Sequence, residues 1–206
     1  MHESAHAFTA DKLGDPTSRL LGRVTLNPLA HADLFGTIIF PLVGLFGGGL
    51  LFGWAKPVPV DVGKLRNPSR DHMLVAAAGP VSNLILALAL FGVLMMVKTV
   101  SAGGADLVRD VSYFQVPQGN PVLTPLAVIA FHGIVLNLIL AVFNLIPVAP
   151  LDGAAVLSGL LPRPLSQIVQ QIQPYGFLIL IVLLIQGIPT ALSLPVINFF
   201  VRYLRV

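Results

Sequence analysis

The chain has 206 residues, 55% of them hydrophobic and 10% charged, whereas soluble domains carry about 25% charged residues. So few charges cannot clothe a water-facing surface, and lipid is the expected main solvent. The net charge of +3 comes without a basic run that could track a nucleic acid, which argues against nucleic-acid partners. Cysteine is absent, so a disulfide framework and a thiolate metal site are both excluded, and any metal must use histidine and carboxylate.

In chain order, residues 2–14 read as a helix ended by Gly14-Asp15-Pro16. It is too short to cross a bilayer, which takes roughly 20 apolar residues. The expectation is that it starts inside the membrane or that the natural chain extends further at its N-terminus. Gly22–Pro28 and Lys56–Val60 look extended, and Pro57 and Pro59 suit an edge strand. Between them, residues 37–53 are apolar but short and broken by Gly47, Gly48 and Gly49, which fits a re-entrant hairpin as well as a span. Lys56, Lys64, Arg66 and Arg70 come next, the kind of basic cluster that flanks membrane spans.

Residues 73–97 and 122–146 are each long enough to cross, the second ending at Pro147 and Pro150. A further span is expected near 174–190. Because Pro189 and Pro195 interrupt the stretch after it, residues 195–205 are expected to form a half-span or an interfacial helix. No repeat or linker divides the chain. The predicted architecture is an all-α membrane protein, a multi-pass helical bundle with a small β element and a re-entrant or spanning segment at 37–53. It forms one integral-membrane domain over 1–206, with its core at 2–14, 73–97 and 122–161 and C-terminal apolar segments at 174–205.

His2-Glu3-Ser4-Ala5-His6 is an HExxH motif. On a helix, positions i and i+4 share a face, so two imidazoles can hold one zinc ion while the glutamate between them takes a proton from its water. From composition alone the motif would arise roughly 0.0006 times in such a chain, and Glu3 is the only glutamate present. Catalytic zinc usually has three protein ligands. Asp152, where one apolar helix breaks and another begins, is the best third candidate, because a lone acid beside membrane spans is costly. Its other reading is a cap for the helix starting at Gly153. His31 and Asp33 either approach the metal or make an ordinary hydrogen-bonded turn. His72 is expected to be solvated at a membrane boundary, and His132 and Asn137 to bond between helices. Asn83 suits helix packing and substrate contact equally, and Gly79-Pro80 suggests close packing or a kink.

Three pieces carry a family resemblance: HESAH at 2–6, AGPVSN at 78–83 and NLIPVAPLDG at 144–153, in that order. Together they resemble the site-2 protease family of intramembrane zinc metalloproteases, peptidase family M50. The stretches GDPTSRLLGRVTLNP at 14–28 and FGWAKPVPV at 52–60 resemble bacterial members with an apolar insertion between two extended segments. The resemblance covers roughly 1–165. It implies His2, His6 and Asp152 as ligands of one zinc ion, Glu3 as catalytic base, and Asn144 as a polar residue near the metal for substrate or oxyanion. It also implies a multi-pass protein of the bacterial cell membrane, with membrane-spanning proteins as substrates. The competing expectation is a zinc-binding membrane protein without peptidase activity, such as a transporter or inactive paralogue. Glu3 speaks against it, since a pure binding site needs no base.

Overall fold

The structure is a computed structural model and describes residues 1–46, 53, 55–115, 117 and 120–205. Helix α1 (His2–Leu13) ends at Gly14, whose φ of 116° suits the left-handed turn that closes the helix. The short α2 (Thr17–Leu20) comes next, then a 3-10 turn at Pro28–His31. A π-helical stretch, Leu34–Ile39, runs into α3 (Phe40–Phe46). Beyond a 3-10 turn at Val62–Lys64 comes α4 (Pro68–Val100), then α5 (Gly104–Ser112) and α6 (Leu123–Asn144). The C-terminal part comprises α7 (Asp152–Leu160), α8 (Arg163–Ile172), α9 (Gly176–Ile185) and α10 (Ile188–Arg205).

The centre of the molecule is α4, which packs against α1, α5, α6 and α7. Its 33 residues make a rod of about 50 Å at 1.5 Å per residue, longer than a hydrocarbon core of about 30 Å. A helix of that length need not hold its polar first turn, around Ser69–His72, within such a core. Small residues let the backbones approach, as expected where lipid gives helices no hydrophobic reason to associate. Ala87, Ala127, Ala130 and Ala141 are buried around Phe131, Ile134 and Leu138, and a side chain at Gly159 would collide with Met73. Large apolar side chains point outward instead, among them Leu88, Ile129, Leu136, Phe177 and Ile185. That inside-out distribution suits lipid. Among the described residues, three helical runs are long and apolar enough to cross a membrane: Pro68–Val100, Leu123–Asn144 and Arg163–Ile185.

Several expectations change. Among the described residues there is no strand. Residues 22–28 form turns and residues 56–60 lie extended without a ladder. Pro57 and Pro59 have no N–H, the Lys56 N–H goes to the His31 carbonyl, and the Val58 N–H is spent on Glu3. The third spanning run starts at Arg163, earlier than position 174, because α8 continues into α9 through a 3-10 turn at Gln173–Tyr175. The break after it falls at Gly187, in a left-handed conformation (φ 71°), and not at proline. Pro189 sits in the first turn of α10, where a missing N–H costs nothing, and Pro195 lies inside α10. Of the 37–53 segment, residues 47–52 lie outside the described residues.

Candidate metal centre

Helix α1 places His2 and His6 one turn apart, with ring centroids 4.6 Å from each other and nearly perpendicular. Asp152 comes to them from the first position of α7. Its Oδ2 lies 3.1 Å from His2 Nε2 and 3.4 Å from His6 Nε2. Ligands at about 2.1 Å around a tetrahedral zinc stand about 3.4 Å apart, so these spacings match a shared ion. His2, His6 and Asp152 form the one such group among the described residues.

Two glycines position these ligands. At Gly79 on α4 a Cβ would collide with the His6 ring and lie 2.6 Å from His2 Cε1, so only glycine lets both imidazoles lie against the helix. At Gly153 a Cβ would collide with the Leu145 and Ile146 carbonyl oxygens, so the start of α7 can press onto the end of α6 and carry Asp152 inward. The capping role considered for Asp152 finds no support. Asp152 is the first helical residue, the N-cap position belongs to Leu151, and its buried Oδ2 accepts no hydrogen bond.

The donor chemistry fits a cation. His6 Nδ1 donates to the Val75 carbonyl at 2.7 Å, which leaves the Nε2 lone pair facing the Asp152 carboxylate. Two acceptors that close need a proton or a metal ion between them. The local electrostatics point the same way. Burial pushes His6 down, but the Asp152 carboxylate and the Val75 carbonyl outweigh it and hold the imidazole above its usual range. Burial pushes Asp152 up, but both histidines hold it below the usual carboxylate range. A carbonyl or carboxylate behind a ligating histidine fixes the tautomer that presents the other nitrogen, and Val75 does this for His6.

A cavity of about 490 Å³ opens beside the three ligands, lined by Glu3, Pro57, Val58, His72, Asn144 and Gln173 among others. Glu3 Oε2 accepts from the Val58 N–H at 3.2 Å, which ties the carboxylate to the extended segment 56–60. Asn144 reaches the cavity wall while its amide donates back to Leu140. His31 and Asp33 stay away. His31 Nε2 bonds to the Thr25 carbonyl and the Ser4 hydroxyl, and Asp33 caps the π-helical stretch. His132 and Asn137 bond carbonyls of their own helix, Val128 and Gly133, and not those of a neighbour. His72, expected at a membrane boundary, lines the cavity. The signal was helical spacing: residues 72, 75, 76, 79 and 83 share one face of α4.

Known proteins resemble this chain over most of its length. The model of peptidase family M50 matches residues 1–184. The chain is 37% identical over 198 residues to a Bacillus subtilis protein named "Putative zinc metalloprotease YwhC", covering 96% of this chain and 81% of that one. It is 30% identical over 185 residues to a Mycolicibacterium smegmatis protein named "Putative zinc metalloprotease Rip2", covering 90% of this chain and 62% of that one. A Mycobacterium tuberculosis protein of the same name is 30% identical over 167 residues, with 81% of this chain and 55% of that one covered. No solved structure gives a significant match. With the family model spanning most of the sequence and the ligand geometry consistent with it, the chain belongs to peptidase family M50.

Proposed function

We propose that the chain is a zinc-dependent endopeptidase of the bacterial cell membrane, acting as one domain over residues 1–206 on membrane-spanning protein substrates. The observation that carries this reading is the convergence of His2, His6 and Asp152 at metal-ligand spacing, with a glutamate in the same cavity.

His2 Nε2, His6 Nε2 and an Asp152 oxygen would hold a single zinc ion. When bound, zinc acidifies water toward neutral pH and polarises a carbonyl. The Glu3 carboxylate takes the proton from the attacking water and delivers it to the leaving amine nitrogen. Its bond from Val58 keeps it on the cavity side of α1. Asn144, which lines the same cavity, would contact the substrate carbonyl with its amide after releasing the Leu140 carbonyl. A helical substrate hides its carbonyls in its own hydrogen bonds, so it must unwind before attack. Lys56–Val60 is the extended segment on the cavity wall. Because its own N–H groups are largely engaged or absent, it offers carbonyls to substrate N–H groups, a partial form of strand addition. Val24, Thr25 and Leu26 line a separate groove along α1, beside Met1, Ser4 and Phe8.

Glu3→Gln tests the mechanism. It keeps size and polarity but loses the base. Purified variant should retain zinc while cleavage of a reconstituted membrane-spanning substrate falls by at least a hundredfold. Equal rates for variant and parent would remove Glu3 from the reaction.

A further inference from the structure

His2 lacks the backbone carbonyl that fixes His6. Behind its ring stands Asn83 of α4, 2% exposed, with Nδ2 3.3 Å from His2 Nδ1. As the amide is oriented, its nitrogen faces His2 Nδ1, and His2 Nε2 faces Asp152 Oδ2 at 3.1 Å; an amide nitrogen donates and its oxygen accepts. Asn83 thus stands behind the His2 ring, and the Asp152 carboxylate stands in front of it.

A metal changes the requirement. It needs the Nε2 lone pair, so the ring proton must sit on Nδ1, which is then a donor. Facing it with the Asn83 NH2 group would set two donors against each other. An amide resolves this by a half-turn about its last torsion, which brings Oδ1 round as acceptor. A leucine could serve neither state, and a carboxylate could serve only the metal-bound one. The burial of Asn83 makes the requirement strict, because a buried polar group without a partner is costly.

We propose that Asn83 is a positioning residue for His2 that serves both tautomers, donating to Nδ1 in the metal-free site and accepting from it when the metal is held. With the Val75 carbonyl, the gap at Gly79 and the Asn83 amide, one face of α4 then orients both imidazoles. This inference rests on the metal-site reading above, and its test separates the two.

Zinc affinity is measured by chelator competition on the full chain in detergent, for the parent, Asn83→Leu, Asn83→Asp and the neighbouring control Ser82→Ala. Asn83→Leu should bind zinc roughly 10–100-fold more weakly. Asn83→Asp, which retains the acceptor, should stay within about threefold of the parent, as should Ser82→Ala. Parent-like affinity in Asn83→Leu, or an equal loss in Asn83→Asp, would overturn the assignment while leaving the metal site standing. A parent that binds no zinc would overturn both. Nitrogen-15 spectra of histidine-labelled parent need no variant. The His2 ring proton should move from Nε2 to Nδ1 on zinc loading, and an unchanged tautomer would contradict the proposal.

Discussion

Each ligand in this site depends on a residue that is not itself a ligand. Gly79 is the sharpest case, because a single methyl group there would occupy the space of the His6 ring. In a helix interior, alanine is normally better than glycine by about 1 kcal/mol. Gly79→Ala should therefore leave the helix intact or firmer while weakening zinc binding at least tenfold, measured by chelator competition. Unchanged affinity would show that the rings do not lie on α4 as described. Asp152→Asn separates ligand from structural residue in a similar way. Asparagine and aspartate suit a helix start about equally, but a neutral amide is a poor zinc ligand. The variant should insert and fold, lose at least tenfold in zinc affinity and lose proteolysis; retention of both would defeat the assignment. The HExxH pair and the lone Asp152 were legible in the sequence because their chemistry is specific and their cost in a membrane is high. The contacts of Gly79 and Asn83 were not, since their partners on α1 are remote in sequence and helical spacing reveals only which residues share a face.

Between elements, Asp15 is the principal polar tie. It is fully buried, its Oδ1 accepts from the Thr17 N–H and hydroxyl, and its Oδ2 accepts from the Asp61 N–H at 2.7 Å. It thereby joins the end of α1 to the segment that leads into α4. Removing a buried charged acceptor with several donors costs about 2–4 kcal/mol, so Asp15→Ala should lower the thermal midpoint in detergent measurably, with the metal-free protein as reference. The pH dependence has a definite sign. Burial raises the Asp15 carboxyl, but its hydrogen bonds from Thr17 and Asp61 outweigh that and hold it below its ordinary value. The stabilisation is therefore complete above about pH 4 and is lost as pH falls through the lowered value. The difference in midpoint between parent and Asp15→Asn should shrink on acidification; a difference that grows would contradict this. Gly14-Asp15-Pro16 is recognisable in the sequence as a helix stop, but the tie to Asp61 is not. The two central spans are legible because each is one unbroken apolar run. The C-terminal ones are harder to place because proline suggests a break, whereas Pro189 occupies a permissive first turn and Gly187 makes the turn. The expected strands at 22–28 and 56–60 are absent among the described residues; in the second, Pro57 and Pro59 have no N–H, and those of Lys56 and Val58 go to the His31 carbonyl and Glu3.

Over the whole molecule, a long central helix carries the metal-ligand platform on one face and packs α6 through small residues beyond it. Apolar side chains cover the outside, so the polar cavity and its carboxylates sit in a body otherwise suited to lipid. Composition revealed that much, and family membership rests on the match over residues 1–184. The central claim is a single zinc site made by His2, His6 and Asp152. The most direct measurement is zinc content per chain in detergent-purified protein, for the parent and the His2→Ala/His6→Ala double variant. The account expects about one zinc per parent chain, the content of one three-ligand site, and essentially none in the double variant. Full zinc retention in the double variant, or a parent that holds none after zinc loading, would contradict it.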